Sequence, residues 1–247
     1  MSSNNLNLKY FEYDSALSNE RCLIGYIFRK IHYLTMRIMP INKIAILAIC
    51  LVLLPECISA NDQSYSYLAE GMRLMDAGSY SEAVSQFDQA ISLDPGDSYA
   101  HYNKGYALLM LEDYWNALSS FNAVLEISPD MGDALVNKAA CLISLADAGQ
   151  VEDAGATYGK AIEACNEAIR LDNSNKRAWY NRGSAYRGLG ASNPNALEQA
   201  WIDFNYAYQI DPSYSAALEA RDQLDEYMRS IGYQPSDDGG FQGGKGN

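Results

Sequence analysis

Residues 64–97, SYSYLAEGMRLMDAGSYSEAVSQFDQAISLDPGD, and residues 98–131, SYAHYNKGYALLMLEDYWNALSSFNAVLEISPDM, are one pattern written twice. Gly71 matches Gly105, Tyr80 matches Tyr114, Ala83 matches Ala117, Phe87 matches Phe121 and Pro95 matches Pro129, every pair 34 residues apart. A fixed period of that length marks a stacked repeat.

Within one unit, Tyr67, Leu68, Gly71, Met72, Leu74 and Met75 recur at steps that give one helical face. Gly78-Ser79 ends that helix, because glycine suits a helix C-terminus. A second helix starts near Tyr80 and places Ala83, Val84, Phe87, Ala90 and Ile91 on one side. Asp94-Pro95-Gly96 stops it, since proline disfavours helical geometry in the residue before it. Gly71, Ala83 and Ala90 fall where the paired helices would touch, with Tyr80 and Phe87 as bulky wedges between turns. One such hairpin cannot bury its apolar face alone, so several must stack.

The order Gly71, Tyr80, Ala83, Phe87, Ala90, Pro95, with its echo in the next unit, resembles the tetratricopeptide repeat. The resemblance extends from Ser64 to about Tyr227. It implies an all-α fold, a right-handed α-solenoid of about four helix-turn-helix repeats with a C-terminal capping helix. The units are residues 64–97, 98–131, 132–175 and 176–212, with the cap at 213–230. In the third unit Ala139 stands for the glycine, Cys165 for the large aromatic and Asn173 for the proline, and ten extra residues enter near Asp147 to Ala156. In the fourth, five are inserted around Ala191 to Asn195. The two insertions share one connection and are expected to project from the same edge. The tail, residues 232–247, is rich in Gly, Asp and Gln and is expected to be disordered.

Ahead of the repeats, residues 36–60 have three parts: a basic stretch with Arg37 and Lys43, the apolar run Ile44 to Leu54, and small residues ending in Ala60. That is the layout of a secretory signal peptide cut after Ala60, with translation starting at Met36. The alternative is an uncleaved membrane anchor over residues 44–59, although 11 apolar residues fall short of the roughly 20 a spanning helix takes. The chain is therefore expected to be exported, or anchored with its repeats outside. The formal charge of −13 divides into +2 over residues 1–60 and −15 over residues 61–247, which disfavours nucleic acid.

No catalytic set and no metal-ligand spacing is evident, and no cofactor is expected. The only histidines, His32 and His101, lie far apart, and the cysteines form no CxxC. Cys141 and Cys165 read as core-facing thiols, or as a disulfide if the chain is exported. Gly239 to Gly246 imitates a phosphate loop but lacks the Ser/Thr, the preceding strand and the following helix.

A binding surface is the better candidate. The resemblance implies that the first helix of each repeat lines a concave groove for a protein or peptide partner. Tyr65, Tyr99, Tyr102, Tyr106 and Tyr180 project from those helices, together with Asn103, Asn137 and Asn181, which recur at one place in successive units. Asn amides offer donors and acceptors to an extended peptide, and Tyr adds rigid area with a polar tip. The alternative is that Asn links neighbouring helices and Tyr packs. The family's clamp for chaperone-tail carboxylates needs basic residues and Asn, whereas the matching places hold Leu68, Met72, Tyr106, Val136 and Ala140.

Overall fold

The computed structural model describes residues 62–190, 193, 195–232, 234–235 and 241–242. The leader, the proposed start at Met36, the three N-terminal cysteines and most of the phosphate-loop mimic lie outside them. Among the described residues the chain runs through α1 (62–76), α2 (Tyr80–Leu93), α3 (Ser98–Met110), α4 (Tyr114–Ile127) and α5 (Gly132–Asp147). It continues through α6 (Ala154–Leu171), α7 (Lys176–Leu189), α8 (Asn195–Ile210) and α9 (Ser215–Ser230). The result is an all-α solenoid of helix hairpins. Two two-residue strands, β1 (Gln234–Pro235) and β2 (Phe241–Gln242), pair antiparallel in the tail. Both lie in the stretch expected to be disordered, and a lone pair of this length is marginal on its own.

Local chemistry sets the helix ends. Asp97 Oδ1 accepts from the backbone N–H groups of Tyr99 and Ala100, and Asn175 Oδ1 accepts from those of Arg177 and Ala178. Each N-cap satisfies orphan donors of a first turn, a contribution of about 1 kcal/mol. Gly78 and Gly149 close the first helices of repeats one and three with φ of +76° and +64°. Repeat two places Glu112 there at φ +60°, where a Cβ costs roughly 1–2 kcal/mol.

The small-to-large pairing explains how the hairpins close. A Cβ on Gly71 would sit 2.5–2.9 Å from three ring carbons of Phe87. On Gly105 it would meet Phe121 at 3.0 Å, and on Gly183 it would meet Phe204 at 2.9 Å. All three rings are fully buried. Repeat three uses Ala139 and Cys165 instead, both fully buried in one cluster with Leu135, Leu142 and Tyr158.

The ten extra residues of repeat three go mainly into helix. α5 and α6 have 16 and 18 residues, against 13 and 14 for α3 and α4. Tyr158 fastens the lengthened tip. Its hydroxyl donates to Asp147, and its ring fills the space above Gly188 of the next repeat, where a Cβ would lie 2.3 Å away.

Both described cysteines are free, fully buried, and in different clusters, Cys141 between repeats two and three and Cys165 between three and four. The disulfide alternative is thereby set aside, and burial pushes both thiols up to about 12. His101 is half-buried at the start of α3, with Nε2 3.2 Å from the Pro95 carbonyl oxygen.

Candidate functional site

Every helix from α2 onward packs on its chain neighbours. In addition α3 touches α5 lightly and α5 touches α7 more extensively, whereas among the described residues no second helix makes contact like that of α5 and α7 with the next. The first helices are thus closer together than the second helices, which makes their side the inner side of the stack. The charge follows the same division from repeat two onward. α3, α5 and α7 carry six Lys/Arg and two Asp in a body whose remainder is acidic.

Half of that positive charge, three of the six groups, is paired closely with a carboxylate. Lys104 pairs with Asp88 at 2.7 Å, and Lys176 pairs with Asp211. Arg182 makes two parallel bonds to Asp203, at 2.8 and 2.7 Å, and a third to Asn166 at 2.7 Å. Its guanidinium also lies 4.6 Å from the Trp179 ring centroid, and the stack continues to Tyr206, whose centroid is 4.8 Å from that of Trp179.

Arg177 differs. Its Nη2 donates to Asn137 Oδ1 at 2.5 Å, and its nearest carboxylate, Asp133, is 4.0 Å away. The side chain is 30% exposed, and Nε and Nη1 have no acceptor within hydrogen-bond distance among the described residues. Phenols surround it. Burial raises Tyr102 to about 12 and raises Tyr106, and in both cases the Arg177 charge opposes the rise. Tyr214 is likewise pushed up to about 12 by burial, then by Tyr180, with Arg177 opposing. Phenols held this high stay protonated and able to donate at physiological pH.

The rings form two groups. Tyr102 packs edge-on to Phe121 with centroids 5.8 Å apart, one turn from Tyr106 on α3. Tyr180 packs on Phe204 at 5.5 Å and edge-on to Tyr214 at 5.4 Å. Tyr106, Tyr180 and Tyr214 make no hydrogen bond among the described residues; Tyr180 and Tyr214 are half-buried and Tyr106 is buried, which counts against it as a groove contact.

The eight candidates therefore separate. Tyr102 and Tyr106 feel the Arg177 charge and Tyr180 packs on Phe204 and Tyr214, while Tyr99 is half-buried earlier on α3 and Tyr65 is 50% exposed on α1. The three asparagines, alike in sequence, do three different jobs. Asn103 donates to the Tyr99 carbonyl of its own helix at 2.9 Å. Asn181 donates to the Val136 carbonyl oxygen at 3.0 Å, joining repeat four to repeat three. Asn137 is fully buried, donating to Tyr102 Oη at 3.1 Å and accepting from Arg177. Its assignment as a ligand contact is corrected: both ends of the amide are engaged, so it is a joint between repeats. Asn103 and Asn181 each keep an Oδ1 without a protein partner among the described residues. Nothing in the sequence singles out Arg177 or Tyr214, because their roles depend on residues 40 and 34 positions away.

The family model of the tetratricopeptide repeat matches residues 68–132. Among solved structures, MamA (residues 41 to the end) from Desulfovibrio magneticus RS-1 is 23% identical with a TM-score of 0.52, covering 69% of this chain and 98% of its own. A thermophilic repeat protein of this type from Thermus thermophilus is 22% identical at 0.54, covering 68% and 83%. Pseudomonas aeruginosa pilF is 16% identical at 0.54, covering 70% and 72%. At such identities the likeness is one of fold. No curated protein matches the sequence. The helix hairpins, the small-to-large pairing and the family match agree over residues 68–132: that stretch carries tetratricopeptide repeats, and the hairpins after it share the fold.

Proposed function

We propose that this chain is an exported interaction scaffold that holds a peptide or protein segment against the inner side of its first helices. Repeats of this family generally bind proteins or peptides. The single observation that favours such a segment here is the incompletely paired Arg177 with the phenols of Tyr102, Tyr106 and Tyr214 beside it, at the seam where α3, α5 and α7 meet. Catalysis forms no part of the proposal.

Export rests on the layout of residues 36–60. The second reading is an adaptor of a cell-envelope complex, anchored through residues 44–59. Among the described residues no helix is long and apolar enough to cross a membrane, so an anchor would have to come from that run. Mass spectrometry of the mature protein separates the two: a chain beginning at Asn61 supports export, and one that retains residues 44–59 supports the anchor.

The binding face is tested by peptide selection on the full chain and on a Tyr106→Phe/Tyr180→Phe/Tyr214→Phe variant. The variant keeps every ring and removes three hydroxyls. Each lost hydrogen bond is worth about 0.5–1.5 kcal/mol, so affinity for selected peptides should fall about tenfold or more. Thermal stability should hardly change, as none of the three hydroxyls makes a hydrogen bond among the described residues. Equal affinity for both proteins, or a loss matched by an equal fall in stability, would remove the phenols from the binding face.

A further inference from the structure

We infer that the outer face of α4 is a second docking surface, and that it takes an amphipathic helix with basic residues at both ends of its apolar stripe. Trp115, Leu118, Ser119, Asn122, Ala123 and Glu126 line an open cleft of about 400 Å³. They stand at steps of three and four, so they form one straight stripe along the helix. The opposite face of α4, with Ala117, Phe121 and Val124, is buried in the stack. Trp115 is 54% exposed, and Met110 and Leu111, at the corner that leads into α4, are 40% and 45% exposed. Stacking of the repeats does not call for these groups. The other repeats hold Ser81, Gly159 and Glu198 in place of Trp115, and repeat one holds Asp76 and Ala77 in place of Met110 and Leu111. Exposed apolar groups gathered in this way mark a contact site.

Charge selects the occupant. From Gly105 to Asn137 the chain holds five carboxylates and no Lys or Arg. Glu112, ahead of Trp115, and Glu126, at the far end of the stripe, are both exposed. They are 14 residues apart, about 21 Å along a helix. Asp113 is already used, since its carboxylate accepts from the backbone N–H and the side-chain amide of Asn116. One cation belongs at the middle of the stripe. Lys104, Arg182 and Arg221 each contact the residue 16 places earlier: Asp88 at 2.7 Å, Asn166 at 2.7 Å and Asn205 at 3.3 Å. The same register sets Lys138 beside Asn122, which brings no charge to meet it. The stripe is therefore negative at both ends, positive midway on the flank toward repeat three, and apolar between. A helix lying along α4 answers that pattern with Lys or Arg about 14 positions apart, a carboxylate midway, and apolar side chains at every third or fourth place. A second copy of this chain is a poor fit, because it would set Glu112 and Glu126 and a body of charge −15 against their like.

Titration calorimetry on the full chain tests the inference with two helical peptides of about 18 residues, long enough to span both carboxylates. They share one leucine stripe. The matched peptide has lysine in its first and last turns and glutamate midway, and the reversed peptide exchanges the signs. The matched peptide should bind about tenfold or more tightly than the reversed one. Trp115→Ala should weaken it by a similar factor. The Glu112→Lys/Glu126→Lys variant should prefer the reversed peptide, which separates the stripe from the general attraction of a cation to an acidic protein. All three positions are exposed, so the variants should fold. The Tyr106→Phe/Tyr180→Phe/Tyr214→Phe variant should bind the matched peptide as the parent chain does, because the inner face takes no part; the inference therefore stands or falls apart from the scaffold proposal. No binding of the matched peptide, equal affinity for the two peptides, or affinity unchanged by Trp115→Ala would overturn it. A dimer of the chain alone that Trp115→Ala abolishes, seen by sedimentation, would give the stripe to a second copy and overturn it as well.

Discussion

Replacing Arg182 with Met should destabilise the solenoid by about 3–5 kcal/mol at neutral pH, because it leaves the Asp203 carboxylate buried without its counter-ion. Asp203 is 1% exposed, and both its oxygens accept from Arg182. Arg182 also holds Asn166 and covers the Trp179 ring, so one substitution loosens α6, α7 and α8 together. The dependence on pH distinguishes this cause from simple loss of packing. Burial raises the Asp203 carboxyl and Arg182 lowers it; without the arginine only the upward push remains. A carboxyl whose folded pKa lies above its unfolded value binds the proton more tightly in the native state. Its stabilising contribution is present at low pH and is lost as pH rises through the folded pKa. The variant's deficit against wild type should therefore be larger at pH 7 than in mild acid, as read from denaturant midpoints at each pH. Adding Asp203→Leu should restore much of the lost stability at pH 7, since an apolar pair can replace a buried ion pair. A single variant as stable as wild type at pH 7, or a deficit that does not vary with pH, would show that the pair does not carry the charge balance described.

The fold was legible in the sequence where a residue's role depends on its own helix or its own hairpin. Gly71 and Phe87 announce each other 16 residues apart, and the 34-residue echo fixes which face they share. Gly78 signals its turn, but Glu112 adopts the same left-handed geometry without a glycine to mark it, because the flanking helices over-determine that corner. The insertion in repeat three could be placed but not shaped. It lengthens two helices because Tyr158, Asp147 and Gly188 of the next repeat give the added turns something to pack on. The site was legible in position and not in function. Asn103, Asn137 and Asn181 occupy one register, yet their partners come from Tyr99, from Tyr102 with Arg177, and from Val136. Periodicity specifies where a side chain starts. What it reaches is set by the neighbouring repeat, whose sequence differs at every step. Arg177 and Tyr214 escape notice for the same reason: each is an ordinary surface residue of its own unit and part of the seam only once the units are stacked.

The second large effect concerns the pairing that closes each hairpin. Phe121→Ala should cost about 3–5 kcal/mol, the transfer of a fully buried ring plus the cavity it leaves. Gly105→Ala should cost about 1–3 kcal/mol by overpacking, since the added Cβ would meet two Phe121 ring carbons at 3.0 Å and the Ser120 Cβ at 3.1 Å. The two costs should not add. With the ring shortened by Phe121→Leu, the space the new methyl needs is partly vacated, so Gly105→Ala should cost less in that background than in wild type. A coupling of about 0.5–3 kcal/mol is expected for residues in such contact. Chemical denaturation of the two single variants and the double variant measures it, and strict additivity would mean that the glycine does not exist to admit the ring. Repeat three has carried out the exchange already. With Ala139 facing Cys165, the methyl is present and the ring is gone, and Leu135, Leu142 and Tyr158 fill the remaining volume. What must be conserved across such a joint is total volume at native packing density, not the identity of the residue on either side, and the most irregular repeat therefore still stacks with its neighbours.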